Sequence, residues 1–515
     1  MNPTYFLFLL YIIVCTLIIT YWAAKRTKTT PRFYVAAGKL TGYQNGMAIA
    51  GDFISAASFL GIIGMVALRG YDGFLYSIGF LVSYIVVLFL IAEPIHRLGK
   101  YSLGDVVCAR FPDRNMRLMM ALGTVIISIL YMIPQLVASG FLLRLLLNLD
   151  YSFSVLIVGI LMTIYVVTGG MIATSWVQIV KTVLLMSGTF LLSLIVFSHF
   201  NWNVEYLIEK VKEGTPFGMD FFLPGHLFAN PVEFLSLQLS LVLGTAGLPH
   251  ILIRLFTVRN TFQVRRSLIS STWIIGSFYF MTLLLGFGTV ALLGHEQLNA
   301  LDPTGNIAAP LLAYTVGGDF LLAFIAAIAF TTIIAVVAGL VIAATTAFSH
   351  DIVHHIWKKG RSTEKEQLRA ARLSALAIGM ISTLFALSLE TINVTFLVSI
   401  TFIVAASSIF PVLLLTIYWK RFTKLGAFTG FATGLLSSLL LVFFGPHVMN
   451  PVDGWIHKEP LFSLYNPGII SIPLGFCGAI VGSLLSQKRS ANEFEQFFVR
   501  AQLGVDARRD GKWKV

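Results

Sequence analysis

Asp52 lies in the middle of an apolar run of the chain, between Met47 and Gly64. No other acidic residue is set as deep within a hydrophobic segment of membrane length. A charge at the centre of a bilayer costs about 2.5 to 3.5 kcal/mol on insertion scales, so such groups face a protein interior or a water cavity and handle ions, protons or substrate. Asp52 therefore either lines a cation or proton path, or pairs with a buried donor beside a broken helix.

The residues around Asp52 favour a broken helix. Gly51 has no Cβ to resist unwinding, and Ser55 and Ser58 add short polar groups to one side of the segment. Transporters use broken helices to expose backbone carbonyls to a cation at the bilayer midplane. We predict a break around Gly51.

A second break is predicted in the segment from Gly244 to His250, where two glycines and Pro249 weaken the helical hydrogen bonds. Its free backbone N–H groups, around Thr245 and Gly247, could bind a carboxylate. His250 either contacts the substrate or is a satisfied structural donor. We expect Arg254, close to the cytoplasmic end, to extend to the membrane interface rather than to bind substrate.

Several polar side chains in other apolar segments have two interpretations. Gln135, which follows Pro134, either hydrogen-bonds substrate or holds helices together. Hydroxyl pairs at 331–332 and 407–408 either line a path or bond back to their own helix carbonyls.

His350, His354 and His355 are spaced so that the first two share a helix face. This spacing could ligate a metal, but no partner beyond Asp351 is evident, and we expect a solvated polar face instead. The chain also lacks the HExxH and GxSxG motifs, so an intramembrane enzyme is poorly supported and no catalytic residue is assigned.

Composition places these residues in a polytopic membrane protein. Of 515 residues, 57% are hydrophobic and only 12% are charged, which is far too apolar for a soluble chain of this length. Runs of about 20 apolar residues can cross a bilayer as helices. Thirteen such spans are predicted, at 4–24, 45–66, 73–93, 118–146, 152–171, 176–198, 233–256, 268–294, 318–349, 371–389, 394–417, 424–445 and 465–486.

Basic residues give the expected orientation. Most of the 36 Lys and Arg, with Lys181 and Arg254 among them, are assigned to the cytoplasmic side, which puts the N-terminus outside and the C-terminus inside. The net charge of +12 then reflects loops near anionic lipid rather than nucleic-acid binding. The first span has no basic n-region or cleavage site and is expected to be retained. Cys15, Cys108 and Cys477 show no paired spacing, which favours neither disulfides nor a thiolate metal site.

The two predicted breaks fall in the second and seventh spans, which start on opposite sides of the membrane. This arrangement predicts an all-α fold with about 13 transmembrane helices and a five-plus-five inverted repeat. The predicted organisation is a first peripheral helix and loop (1–44), the first repeat (45–198), an extracellular loop (199–232), the second repeat (233–417), two peripheral spans (418–486) and a cytoplasmic tail (487–515).

The chain resembles the sodium:solute symporters, and within them the cation/acetate symporter branch. The resemblance covers most of the chain and is carried by specific strings, namely 45–61, 70–73, 169–178, 244–254, 335–339, 349–351 and 411–420. It implies a leucine-transporter-type core, alternating access driven by a cation gradient, and acetate or another short monocarboxylate, such as glycolate, as substrate.

The resemblance also implies a cation site made of carbonyls and hydroxyls. Gly51 and Ile54 fall on its carbonyl positions in the second span, and Thr332 falls on a third. Ala335 and Val336 stand where sodium-coupled members carry Ser or Thr, so two oxygen ligands are missing and the site for a hard cation is weakened. A shifted Thr331 hydroxyl could compensate, or Asp52 could carry a proton.

We therefore expect a cell-membrane symporter that takes up a small monocarboxylate with Na⁺ or H⁺. The cation region is Gly51, Asp52, Ile54 and Thr332, and the substrate is bordered by Gln135, Thr245, Gly247 and His250. No prosthetic cofactor, nucleic acid or obligatory protein partner is expected, and no metal beyond the coupling cation. The alternatives are a sodium symporter for pantothenate, an amino acid or another organic acid, and a transporter-like membrane sensor.

Overall fold

The computed structural model describes 29–515 apart from 229, 391–393, 452–455, 487–490, 505, 508–512 and 515, together with 7, 8, 10, 11, 14, 15, 18, 21 and 22. The predicted first span, 4–24, therefore lies largely outside the described residues. In the described part the chain is almost entirely helical, as predicted.

The helices follow one another along the chain, and the longest connections between them are 215–230 and 444–467. They are α1 (Thr30–Val35), α2 (Gly42–Phe53), α3 (Ala57–Arg69), α4 (Tyr71–Leu98), α5 (Leu103–Arg110), α6 (Arg114–Leu147), α7 (Tyr151–Ser198), α8 (Val204–Gly214), α9 (Pro231–Thr245), α10 (Pro249–Leu252), α11 (Thr261–Leu293), α12 (His295–Leu301), α13 (Ala308–Trp357), α14 (Glu364–Ala386), α15 (Val394–Tyr418), α16 (Lys424–Phe443), α17 (Gly468–Leu484) and α18 (Ala491–Leu503). The 3₁₀ turns are Ala36–Gly38, Gly218–Phe222 and Ile253–Thr257, and β1 (Asp506–Ala507) pairs antiparallel with β2 (Trp513–Lys514).

Nine of the described helical segments are long and apolar enough to cross a membrane, and the bent pair α2 and α3 makes a tenth. Two shorter apolar helices, Tyr151–Leu161 and Gly468–Leu484, fall on the predicted fifth and thirteenth spans. Large apolar side chains cover the outer surface, among them Phe89 and Trp273, each 75% exposed. Such a surface suits lipid rather than water, and the predicted multi-pass membrane architecture is confirmed.

The first predicted break is present, but it lies further along the chain than expected. Gly51 is still helical, and α2 ends at Phe53, after which Ile54 adopts an extended conformation. The axes of α2 and α3 meet at 63° across this break. A capping box at Thr41 fixes the start of α2, so the position of the break relative to that start is well defined.

The second predicted break separates α9 from α10 between Thr245 and Pro249. Gly244 and Gly247 lie so close to α15 that a Cβ on either would stand 2.5 Å from a carbonyl oxygen of that helix. These glycines therefore permit close packing as well as the break.

Three segments form the centre of the bundle. In the most apolar stretch of α13, 89% of the residues are buried in protein, and in those of α15 and of Pro231–Thr257 83% are, against 33% for α16. α13 packs on α6 and α7, and α15 packs on α6 and α9. The two breaks thus face a core of helices that are shielded from lipid, whereas α16 and α17 lie at the edge.

Candidate functional site

A buried ion pair joins the two broken helices. Arg254, in the 3₁₀ turn that continues α10, donates from Nε to the Asp52 carboxylate in the last turn of α2. Its Nη1 donates to Ser175 Oγ on α7 at 2.6 Å. Asp52 is 0% and Arg254 1% exposed. The prediction that Arg254 extends to the membrane interface is wrong, because the buried carboxylate holds its guanidinium inside the bundle.

Gln178, on α7, ties this ion pair to the central helix α13. Its Nε2 donates to Asp52 Oδ1 and, at 2.7 Å, to the backbone carbonyl of Ala335. Asp52 Oδ1 also lies against Gly339, where a Cβ would stand only 2.4 Å from it. Asp52 therefore accepts hydrogen bonds from two other segments and packs against a third, which agrees with the interpretation that it pairs with buried donors.

Lys181 lies one turn beyond Gln178 on the same face of α7. Its Nζ donates to the backbone carbonyl of Ile54 at 2.6 Å and to that of Gly51. The side chain is 0% exposed. Lys181 therefore lies inside the protein, on the part of α7 that follows the kink at Gly170, rather than in an exposed loop. The sequence did carry a signal for this buried lysine, because Lys181 lies three positions after Gln178 within an apolar run.

The close approach of α7 to α2 depends on Gly51. A Cβ at this position would lie 2.6 Å from Thr182 Oγ1 and 2.8 Å from Gln178 Oε1. The two helices are therefore near enough for the Lys181 ammonium to reach the carbonyls at the end of α2.

The hydroxyl groups expected near the cation region bond to their own helix. Thr332 Oγ1 donates to Ile328 O at 3.0 Å and Thr331 Oγ1 to Ala327 O at 2.9 Å. Likewise Ser408 donates to Val404 O in α15, while Ser407 pairs with Ser471 of α17 at 2.8 Å. Thr331, Thr332 and Ser408 thus bond back to their own helix carbonyls, which is the second of the two interpretations, whereas Ser407 joins α15 to α17.

Gln135 and His250 are buried polar side chains without protein partners in the described part of the chain. Both amide atoms of Gln135 and both ring nitrogens of His250 lack a hydrogen bond. The His250 ring lies 5.0 Å from the ring of Tyr131, centroid to centroid. Tyr131 and Gln135 are one turn apart on α6, so the structure brings these two predicted substrate residues to the same region.

The other two predicted substrate residues, Thr245 and Gly247, are already bonded within the break. Thr245 Oγ1 donates to Leu241 O, and the Gly247 N–H donates to Gly244 O at 2.8 Å. The N–H of Leu248 donates to Thr245 O. The prediction of free N–H groups at Gly247 and Leu248 is therefore wrong, because the chain closes a tight turn there.

A closed cleft, too narrow to hold a water molecule, lies beside the first break. It is bordered by aromatic and small side chains of α2, α3, α4, α6 and α15, namely Phe53, Ala57, Ser58, Phe80, Tyr131, Thr395, Val398 and Phe402. Tyr131 connects this cleft to His250. The cleft and the unpartnered polar atoms are therefore parts of one region.

A second charged cluster lies at the end of the bundle that is predicted to be cytoplasmic. Arg117 Nη1 contacts Asp105 Oδ1 at 2.8 Å and Asp351 Oδ1 at 2.7 Å, and His350 Nε2 lies 3.4 Å from Asp105. His350 and Asp351 are buried, so the predicted solvated face is wrong at these residues. One ligand atom each of Asp105, His350 and His355 lies within 4.8 Å of the others, but Arg117 already supplies a positive charge there.

The electrostatics of this cluster stabilise the charged form of Asp105. Burial acts to raise the pKa of its carboxyl group, but the hydrogen bond and charge of His350, together with the charge of Arg117, outweigh it. The pKa of Asp105 is therefore well below its ordinary value.

Comparison with known sequences places this architecture among solute transporters. The profile of the sodium:solute symporter family matches residues 33–434. An uncharacterized symporter, YwcA of Bacillus subtilis (strain 168), is 56% identical over 508 residues, which cover 98% of this chain and 99% of that protein.

Two solved structures share the fold. One is a Na⁺-coupled sialic acid symporter in a substrate-bound outward-open state, with a TM-score of 0.75 and 16% identity over 94% of this chain and 99% of that one. The other is Mhp1, a nucleobase-cation-symport-1 family transporter, with a TM-score of 0.54 and 11% identity over 90% of this chain and 98% of that one. The predicted leucine-transporter-type core is thereby confirmed.

Proposed function

Since the chain belongs to the sodium:solute symporter family, we propose that this secondary symporter takes up acetate or a related short monocarboxylate, such as glycolate, together with a cation. The protein is a transporter and not an enzyme. Uptake proceeds by alternating access, in which the binding region opens to each side of the membrane in turn. The N-terminus lies outside the cell and the C-terminus inside.

The observation that carries the choice of an anion is the set of buried N–H donors around the second break. In the described part of the chain, both ring nitrogens of His250, both amide atoms of Gln135 and Nη2 of Arg254 have no hydrogen-bond partner. Buried polar atoms without hydrogen bonds cost free energy unless a ligand satisfies them. A carboxylate accepts several hydrogen bonds at once and so matches the donors of this set, which are Arg254 Nη2, Gln135 Nε2 and the N–H of the His250 ring.

The balance of charge in the same region also favours an anion. Lys181 and Arg254 are buried cations, whereas Asp52 is the buried carboxylate that contacts Arg254. When all three side chains are ionised, the region has a net charge of about +1. A monovalent anion offsets this excess, whereas a cationic solute would increase it.

The packing beside the first break favours a short solute. Four of the eight side chains that border the cleft are aromatic, and they close it so tightly that a large organic group has no room there. We place the carboxylate towards Gln135 and His250 and the alkyl group towards Tyr131 and Phe402. Thr245 and Gly247 shape the break, while Gly51, Asp52, Ile54 and Thr332 make up the cation region.

Counterflow tests the substrate without any assumption about the coupling ion. Proteoliposomes are loaded with unlabelled acetate and diluted into a trace of labelled acetate. We expect the label to accumulate transiently inside, and glycolate to compete with it. Liposomes without protein give the background, since acetic acid crosses bilayers by itself.

Two results would contradict the proposal. Counterflow of labelled pantothenate or of an amino acid, with none of acetate, would assign the alternative solute class. Saturable binding of acetate to the purified protein without counterflow would instead indicate a membrane sensor.

A further inference from the structure

We propose that the ammonium group of Lys181 takes the place of a metal ion in the cation region, so that a proton on this lysine, rather than sodium, couples transport at this position. The inference rests on the proposed function, which requires a coupling cation. It differs from the expectation attached to the family, whose name specifies sodium.

The first support is the set of atoms that the lysine contacts. Gly51 and Ile54 were expected to offer their carbonyls to a metal ion, but both carbonyls accept hydrogen bonds from Lys181 Nζ. The third expected carbonyl, that of Thr332, lies on α13, and the Ala335 carbonyl one turn further along accepts from Gln178 Nε2 at 2.7 Å. Two side chains of α7 thus bond to backbone carbonyls on both sides of the cation region, and Gly51 and Ile54 are ammonium acceptors rather than metal ligands.

The second support is the shortage of other oxygen atoms. A hard cation such as sodium needs several oxygen ligands to replace its water shell. Ala335 and Val336 offer only hydrocarbon side chains, and both are 0% exposed. The Thr332 hydroxyl is turned to its own helix, where it donates to Ile328 O. The residues of α13 therefore do not fit a sodium ion, whereas two carbonyls suit an ammonium group, which only donates.

The third support is that the surroundings are built around the lysine. Lys181 extends from α7, and its Nζ reaches the end of α2 because these two helices lie close together. Gly51 has no Cβ, which permits this close approach. A buried lysine that merely filled space would be costly. Two carbonyl acceptors and the nearby Asp52 carboxylate offset that cost.

The ionisable groups near Lys181 are few. Asp52 on α2 is the charged neighbour that acts on it, and Arg254 binds that same carboxylate. From Leu321 to Thr346, α13 has no ionisable side chain. Loss of the proton from Lys181 would therefore leave Asp52 and Arg254 as a neutral pair, and its return would restore the excess positive charge that attracts an anion. Protonation and anion binding are thereby linked.

The consequence for transport is a coupled cycle. The anion binds when Lys181 is protonated, and the two charges then cross the membrane together. Release of the proton inside removes the attraction for the anion. Arginine cannot take part in such a cycle, because its guanidinium does not lose its proton in proteins.

The test is accumulation in proteoliposomes under separately imposed gradients, with the solute that counterflow identifies. For the wild type, we expect an inward proton gradient without sodium to drive accumulation at a rate at least about tenfold above that of protein-free liposomes, which take up acetic acid by themselves, and an inward sodium gradient at equal pH to drive none. Lys181→Arg and Lys181→Gln should both lose proton-driven accumulation. Lys212→Gln, which changes an exposed lysine, should accumulate like the wild type.

Sodium-driven accumulation by the wild type without a proton gradient would overturn the inference. So would proton-driven accumulation by Lys181→Arg that is faster than in protein-free liposomes. The wild-type result decides the question even if both variants fail to fold, which is checked by gel filtration.

A solute-free measurement separates this inference from the proposed substrate. If no monocarboxylate shows counterflow, the proposed function fails, but binding of ²²Na⁺ to the purified wild-type protein can still be measured. We expect no saturable sodium binding in potassium buffer. Saturable binding would overturn the inference whatever the solute.

Discussion

The guanidinium of Arg254 binds the carboxylate of Asp52 in the interior of the protein, where neither side chain is more than 1% exposed. The two residues are 202 positions apart in the chain, and each lies beside the break of its own helix. The ion pair therefore fixes the two broken helices relative to each other. Any change in the access state of the binding region must carry this pair along or separate it.

Replacing Asp52 with Asn should destabilise the protein, since it leaves Arg254 buried without its counter-charge. Breaking one partner of a buried pair costs about 3 to 5 kcal/mol, and we also expect accumulation of the solute to be lost. Stability is measured by thermal denaturation in detergent, and transport by uptake into proteoliposomes.

Two further variants complete the Asp52 experiment. Asp52→Asn combined with Arg254→Gln should cost less stability than the two single changes added together. Glu213→Gln, which breaks the exposed pair with Lys210, should leave the melting temperature close to that of the wild type. Normal accumulation by Asp52→Asn would show that the charge of Asp52 has no part in transport.

Gly51→Ala should impair transport through packing. The added methyl group would stand 2.6 Å from Thr182 Oγ1 and 2.9 Å from the Gln178 carbonyl oxygen, which forces α7 away from α2 and lengthens the Lys181 contacts. Overpacking of this kind costs about 1 to 3 kcal/mol. We expect the rate of uptake to fall at least about tenfold at equal protein content.

Gly276→Ala is the matched control, because its methyl group would meet only Leu81, at 3.4 Å. An Ala in the middle of a helix gains up to about 1 kcal/mol over Gly, so this variant should be at least as stable as the wild type. Equal loss of uptake in the two variants would contradict the packing argument.

Gln135→Leu should separate a substrate role from a structural one. Its amide makes no protein hydrogen bond in the described part of the structure, so its replacement by a similar apolar side chain should not lower the melting temperature. If the amide binds the solute, the KM for uptake should rise about tenfold, which corresponds to about 1.4 kcal/mol.

Gln178→Leu is the contrasting variant, because this amide bonds to Asp52 and to Ala335. Loss of a hydrogen bond to a charged group costs about 1.5 to 3 kcal/mol, and the melting temperature should fall. A Gln135→Leu variant that melts lower but keeps its KM would assign Gln135 to helix packing.

Asp105 should make stability depend on pH at the acidic end. Its pKa in the folded protein lies below the ordinary 3.8, so its stabilising contribution is fully present above that value and is lost as pH falls towards the folded pKa. The free energy of unfolding, measured by denaturant titration between pH 3 and pH 7, should decline more steeply below about pH 4 in the wild type than in Asp105→Asn.

The exposed Asp220 gives the control for that titration. Asp220→Asn should follow the wild-type curve, because its side chain lies outside the charged cluster. Parallel curves for the wild type and Asp105→Asn would show that Arg117 and His350 do not stabilise the Asp105 carboxylate.

Much of the fold could be predicted from local signals. Apolar runs of membrane length gave the spans, and the glycines and Pro249 gave the second break, because these depend on residues close together in the sequence. The first break was placed too early, at Gly51. The glycine there serves the approach of α7, and a contact between distant helices leaves no local trace.

The candidate site was predicted only in part, and the errors share one physical cause. Sequence determined that Asp52, Gln135 and His250 are polar groups within apolar helices and that Ala335 and Val336 lack hydroxyls. Only the tertiary structure decided which groups meet there. In the structure Arg254 points inward to Asp52, and Lys181 contacts the carbonyls at the end of α2. The N–H groups of Gly247 and Leu248 in the second break donate to carbonyls of the same turn. A buried charge is stable only beside its partners, and those partners come from helices that the chain assembles over hundreds of residues.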